Sequence, residues 1–156
     1  EPRKVSNRVL LAQAYNKVGR LDAAFVEAER AIALGDPSGT ALWVRGVVRG
    51  ERDKAWGPAI EDLTASLAAT GEDHTIYGTR GRFRGRRGDL DGAIEDLDRA
   101  IRLKRSPNHF NDRAEVWLAK GDIERAIADS EECLGFGGHT RSAAESRARL
   151  AKLRAK

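Results

Sequence analysis

The sequence predicts an all-α protein, a solenoid of about four helix pairs closed by a C-terminal capping helix. The first ground is spacing. Short blocks at 19–24, 54–59, 88–93 and 121–126 resemble one another, and their closing alanines, Ala24, Ala59, Ala93 and Ala126, are 35, 34 and 33 residues apart. A fixed period of that length is the mark of a stacked repeat, because one unit cannot bury its apolar face without a neighbour. The second ground is that apolar residues recur at helical spacing on both sides of each block, with no strand alternation of useful length. The third is punctuation, since Gly and Pro gather between the periodic segments.

Each element follows from these signals in order. The first unit, about 5–38, reads as a helix over 4–18 carrying Leu11, Ala12 and Tyr15, then a second over 21–34 carrying Ala24, Ala28, Ala31 and Ile32. Gly35, Asp36, Pro37, Ser38 and Gly39 stop it, with Ser38 offered as a cap for the next helix. The second unit, 39–73, gives helices over 40–50 and 56–69, closed at Gly71. The third, 74–106, gives 74–86 and 90–104, closed by Ser106 and Pro107. The fourth, 107–138, gives 108–120 and 123–134, closed by glycines to Gly138. A ninth helix, 140–155, sets Ala143, Ala144, Leu150 and Leu153 against a solvated side with Arg141, Glu145, Arg147, Arg149, Lys152 and Arg154. That amphipathy suits a helix covering the end of a stack.

The 156 residues are 40% hydrophobic and 6% aromatic, enough for a helical core in one domain. No apolar run is long enough for a membrane span and no signal pattern opens the chain, so the expected place is cytoplasmic. The chain begins at Glu1 and holds no Met, which reads as a mature form or an excised piece of a longer protein. One cysteine, Cys133, excludes an internal disulfide, and its position calls for a small packed residue. The net charge of +4 comes from 28 basic against 24 acidic residues, a mixed surface and a weak argument for nucleic acid.

These features resemble the tetratricopeptide repeat family, whose units are antiparallel helix pairs of 34 residues. Ala12 with Tyr15 and Ala114 with Trp117 match its first-helix pattern; Ala24 with Ala31 and Ala93 with Ala100 match its second, over about 5–134 in all. The resemblance implies a right-handed solenoid. The middle units depart from the pattern: unit two has an extra residue and no Gly in its inner turn, and in unit three Arg84 stands near the place of Tyr15, with Phe83 just before it. Inside that departure lies a second repeat, in which Arg45, Gly46, Arg49 and Gly50 match Arg80, Gly81, Arg84 and Gly85. Gly78, Gly81 and Gly85 cost their helix about 3 kcal/mol against alanine, a cost that close helix contact would have to offset.

For function the resemblance implies a noncatalytic module that holds a partner's segment in a groove lined by the first helices. The groove would draw on Gln13, Asn16 and Lys17, on Trp43 and Val47, on Arg82 and Arg86, and on Asn111 and Glu115; Arg45, Arg49 and Arg84 join them as arginines one turn apart from a like neighbour. Such pairs grip carboxylates through charge-assisted, bidentate bonds, so the expected partner is another protein or peptide of acidic character. The competing expectation is that these arginines pair with the acids of the following helix. The family's chaperone-tail clamp is unsupported, because Val9, Gln13, Val44, Thr75 and Thr79 stand where its Lys and Asn residues would. Other readings are a regulatory or assembly domain of a larger enzyme or signalling protein and, third, nucleic-acid binding; self-association is compatible with each. His74, His109, His139 and Cys133 fit no zinc spacing, and no nucleophile–base pair, phosphate loop or dinucleotide turn is present, so no metal, cofactor or catalysis is expected.

Overall fold

The computed structural model describes residues 2–137 and 140–155. Among these it holds nine helices and no strand: α1 Pro2–Lys17, α2 Leu21–Ala33, α3 Thr40–Glu51, α4 Trp56–Thr70, α5 His74–Arg87, α6 Leu90–Leu103, α7 Pro107–Lys120, α8 Ile123–Gly135 and α9 Arg141–Arg154. Gly138 and His139 lie outside the described residues.

Consecutive helices pack on one another along the whole chain. The odd-numbered helices also touch their nearest odd neighbours, from α1 against α3 to α7 against α9, whereas no two even-numbered helices meet among the described residues. A stack drawn tight on one side and splayed on the other must curve, and its inner wall is built from α1, α3, α5, α7 and α9. Small residues permit the crossings: Ala12, Ala24, Ala28, Ala31, Ala59, Ala93, Ala100, Ala114 and Ala126 are fully buried. With so little bulk between them, backbones approach closely and dispersion contacts replace large side chains. Cys133 is likewise fully buried, a packing thiol.

The helical glycines have the role their cost demanded. A Cβ on Gly50 would stand 2.3 Å from the Phe83 ring, one on Gly81 would meet Leu97 at 2.8 Å, and one on Gly85 would meet Val116 at 2.9 Å. Phe83, fully buried, uses the space left by Gly50 to point back at unit two, where its ring lies 5.4 Å from Trp56. The register of α5 is thereby fixed: Phe83 faces the preceding unit and Arg84 its own second helix.

The inner turns share one backbone solution. Gly19, Gly88 and Gly121 are left-handed at φ 77°, 95° and 82°, and in unit two Lys54 takes the same region at φ 55°. The extra residue there lengthens the turn to 52–55, and the Lys54 ammonium donates to the Glu51 carbonyl at 2.7 Å.

At the C-terminal end the buried stripe of α9 is Ser142, Ala143, Ser146 and Leu150. Ala144, expected inside, is exposed, and Arg149, expected in solvent, keeps only 9% of its side chain exposed. The seam accepts serine because Ser142 Oγ donates to Asn108 Oδ1 at 2.6 Å and Ser146 Oγ donates to Asn111 Oδ1 at 3.2 Å. A hydroxyl with a partner can be buried where hydropathy alone predicts an alkyl group. These bonds tie α9 to α7, and with Arg149 Nη1 donating to Ser130 Oγ of α8 at 3.1 Å it packs on both as the first helix of a further unit would.

Candidate functional site

The arginines sort into two populations. Arg45 clamps Asp62 through Nε at 3.0 Å and Nη2 at 2.6 Å; Arg80 clamps Asp96 at 2.8 and 2.7 Å; Arg113 clamps Asp129 at 2.8 and 2.6 Å. In each case the remaining Nη1 reaches back to the preceding unit, to Glu29 at 2.6 Å, Thr64 Oγ1 at 3.1 Å and Asp98 at 2.5 Å. The three aspartates are 4–5% exposed. Arg49 adds a second bond to Asp62 at 2.9 Å, and Arg84 forms an ion pair with Asp96 at 3.1 Å while its Nη1 donates to the Gly92 carbonyl at 3.2 Å. Arg45, Arg49 and Arg84 are thus committed to the seam between the helices of their own units. Unit one achieves the same neutralisation differently, with Glu27 held by Arg8 and Arg30 at 2.7 Å each.

The second population faces the inner wall. Residues two apart on a helix point about 200° apart, so the seam stripe of Arg80 and Arg84 leaves Arg82 and Arg86 on the opposite side of α5. They line a cavity of about 530 Å³ between α5, α7 and α9, together with Asn111 and Glu115. Four of the expected groove residues therefore meet at one place. Arg82 pairs with Glu51 of α3 at 2.6 Å. Arg86 is exposed, lies 5.8 Å from the Trp56 ring centre, and makes no ion pair among the described residues. Asn111 is 3% exposed and fully engaged: its Nδ2 donates to Glu145 at 2.9 Å, while its Oδ1 accepts from Ser146 and Arg149. It positions Glu145 at the rim. Glu115 lies 3.5 Å from Arg149.

The remaining expected residues stand elsewhere. Gln13 and Asn16, half-buried, and Lys17, exposed, belong to α1, outside the lining of that cavity. Trp43 packs against the cores of both unit one and unit two, and its indole N–H is buried with no acceptor among the described residues.

Two features of the cavity escaped the sequence. One is Asp112, which lines it between Arg82, Arg86 and Glu145. Its carboxylate accepts no hydrogen bond from the described residues, and burial pushes it up to about 7, an effect that Glu115 and Glu145 reinforce and that Arg82 and Arg86 oppose. The other is the contact of His74 Nδ1 with His109 Nε2 at 3.2 Å. The His109 ring lies where a Cβ on Gly78 would be, 2.6 Å away, so that glycine makes room for the pair. Burial, with His74 and Lys104 adding to it, holds His109 down at about 4. No group of three metal-ligating side chains occurs among the described residues.

A second cleft, of about 630 Å³, opens at the other end of the ribbon and is walled by Val5, Val9, Leu10 and Leu34. Its polar lining is already used: Asp36 accepts from the Ser38 hydroxyl at 2.7 Å and from the Ala41 N–H at 2.9 Å, securing the start of α3. Charged groups converge on the cavity of α5, α7 and α9 instead.

No protein-family model and no curated sequence matches the chain. Solved structures do. TTC0263, a thermophilic tetratricopeptide repeat protein of Thermus thermophilus, superposes with a TM-score of 0.77 at 19% identity, over 100% of this chain and 84% of that one. The chain has the tetratricopeptide repeat fold. A structure titled as the Cut9–Hcn1 hetero-tetramer of the APC/C gives a TM-score of 0.83 at 18% identity over 94% of this chain and 30% of that one. YrrB, described as a tetratricopeptide repeat protein with an unusual peptide-binding site, gives 0.73 at 15% identity over 88% and 71%. No helix among the described residues is long and apolar enough to cross a membrane.

Proposed function

We propose that this chain is a noncatalytic interaction module that docks a segment of another protein along its inner wall, with Arg82 and Arg86 holding acidic side chains of that segment. One observation carries the reading. Arginines 45, 49, 80, 84 and 113 are all bound to buried aspartates, whereas Arg86 stands exposed at the rim of the 530 Å³ cavity and makes no ion pair among the described residues. An unpaired guanidinium beside an open concave surface offers two N–H groups to a carboxylate at little reorganisation cost. The peptide-binding description of YrrB supports this class of role, and the Cut9 assembly supports a place in a larger complex.

The test is capture from a lysate with the chain as bait, identification of what is retained, and repetition with Arg82→Ala and Arg86→Ala. Retention of an acidic partner is expected to fall at least several-fold while far-UV circular dichroism stays unchanged. Unaltered retention would remove this site. Retention of RNA or DNA with an affinity falling about 0.7–0.9 log units per log unit of salt for each phosphate contacted would replace the reading with nucleic-acid binding.

A further inference from the structure

The cavity between α5, α7 and α9 is not uniformly basic, and a purely acidic ligand would leave one of its groups unmet. Asp112 lies half-buried in the wall, open to the cavity, and receives no hydrogen bond from the described residues. Its neighbours are otherwise occupied: Arg82 is turned onto Glu51 at 2.6 Å, Asn111 serves Glu145 and α9, and Arg141 pairs with Glu145 at 2.8 Å. The charges of Arg82 and Arg86 act on this carboxylate through space, but none of the described residues gives it the hydrogen bond that would offset the cost of ionising it. Arg86, beside it on α5, acts on Asp112 through space but makes no ion pair with it or with any other acid among the described residues. The two groups are opposite in charge, share one cavity and leave their hydrogen-bonding atoms unengaged by each other.

We propose that the segment docked on this wall carries a basic side chain, lysine or arginine, that binds Asp112, next to an acidic side chain that binds Arg86, so the site selects a peptide of mixed charge. The inference rests on the docking function proposed above and specifies its ligand. Bidentate acceptance of a guanidinium, or of two ammonium N–H groups, would satisfy the oxygens of Asp112 and return it to its charged state. The charged groups facing Asp112 are Arg82 and Arg86 from α5, Glu115 from its own helix, and Glu145 and Arg141 from α9. A cation arriving there joins two further carboxylates and displaces no existing ion pair of Asp112. Binding then releases a proton wherever Asp112 is protonated in the free chain, so affinity rises with pH toward neutrality.

The experiment is selection of a phage-displayed random dodecapeptide library on the chain, on Asp112→Asn and on Arg86→Ala. Peptides enriched on the parent should combine Lys or Arg with Asp or Glu a few positions away. On Asp112→Asn the basic position should disappear while the acidic one persists, and on Arg86→Ala the reverse. A synthetic peptide from the parent selection should bind Asp112→Asn at least tenfold more weakly, and should bind the parent several-fold more tightly at pH 7.5 than at pH 5.5. Acidic peptides without a basic position, or a basic preference that survives Asp112→Asn, would overturn the inference and leave the docking function standing. Recovery of no peptide that depends on Asp112 or Arg86 would overturn both.

Discussion

If Asp112 is kept for a ligand, it is a burden on the free fold, and replacing it by asparagine should make the chain more stable. Burial raises its carboxyl from 3.8 to about 7. Between those two values the folded chain holds a proton that the unfolded chain has released, so stability is lost as pH climbs through the interval and the loss is complete above about 7. Each pH unit in that interval is worth about 1.4 kcal/mol, which sets a ceiling of about 4 kcal/mol. Water in the cavity and the charges of Arg82 and Arg86 screen part of it, leaving an expected gain of about 1–2 kcal/mol for Asp112→Asn at pH 8. Asparagine keeps the shape and never ionises. Urea unfolding followed by far-UV circular dichroism at pH 8 and at pH 3.5 reads the difference. The variant should exceed the parent at pH 8 and match it at pH 3.5. Equal stability at pH 8, or a gain of the same size at both pH values, would refute the reasoning.

Three further outcomes follow from the fold. Asp96→Ala strands Arg80 and Arg84 in the α5–α6 seam and should cost about 3–5 kcal/mol in urea unfolding. Lys54→Gly relieves a left-handed lysine at φ 55°; against the lost Lys54–Glu51 bond and the added freedom of the unfolded chain, a net gain of about 0.5–1 kcal/mol is expected by thermal melting. His109 is held at about 4 against 6.5, so as pH falls the unfolded chain takes the proton first, and stability is lost between those values; His109→Gln should remove as much as about 3 kcal/mol of that pH dependence in parallel unfolding series at pH 7.5 and 4.

Helix positions were legible in the sequence because the repeat fixes them from several directions at once. The alanine period sets the crossings, Gly19, Gly88 and Gly121 set the left-handed turns, and Pro107 opens α7. The face that each arginine takes was not legible. Arg80 and Arg84 differ from Arg82 and Arg86 by a rotation that a run of like charges does not reveal. A usable signal was nonetheless present. Arg45, Arg80 and Arg113 recur from unit to unit with Asp62, Asp96 and Asp129 following 17, 16 and 16 residues later, and what recurs with its partner belongs to the scaffold. Arg82 and Arg86 have Val47 and Glu51 as their counterparts one unit earlier, so they break the repeat, which sets them apart from the scaffold and in the proposed site. Asp112 went unnoticed because a lone acid beside Arg113 looks like half of a local pair, whereas Arg113 is spent on Asp129 and Asp98. The serines of α9 were missed for a related reason: hydropathy does not register a hydroxyl whose acceptor comes from another helix.

The clamp of arginine on aspartate closes inside the second, third and fourth helix pairs, and only the clamp's third N–H crosses to the neighbour. The buried aspartate of every such pair is therefore neutralised within the pair, and the acids reached across the boundary are the more exposed ones. Duplicating or excising one shifts the length of the ribbon without leaving an ion stranded in the interior, so length is a quantity this architecture is free to vary while the chemistry of its inner surface is rewritten one helix at a time.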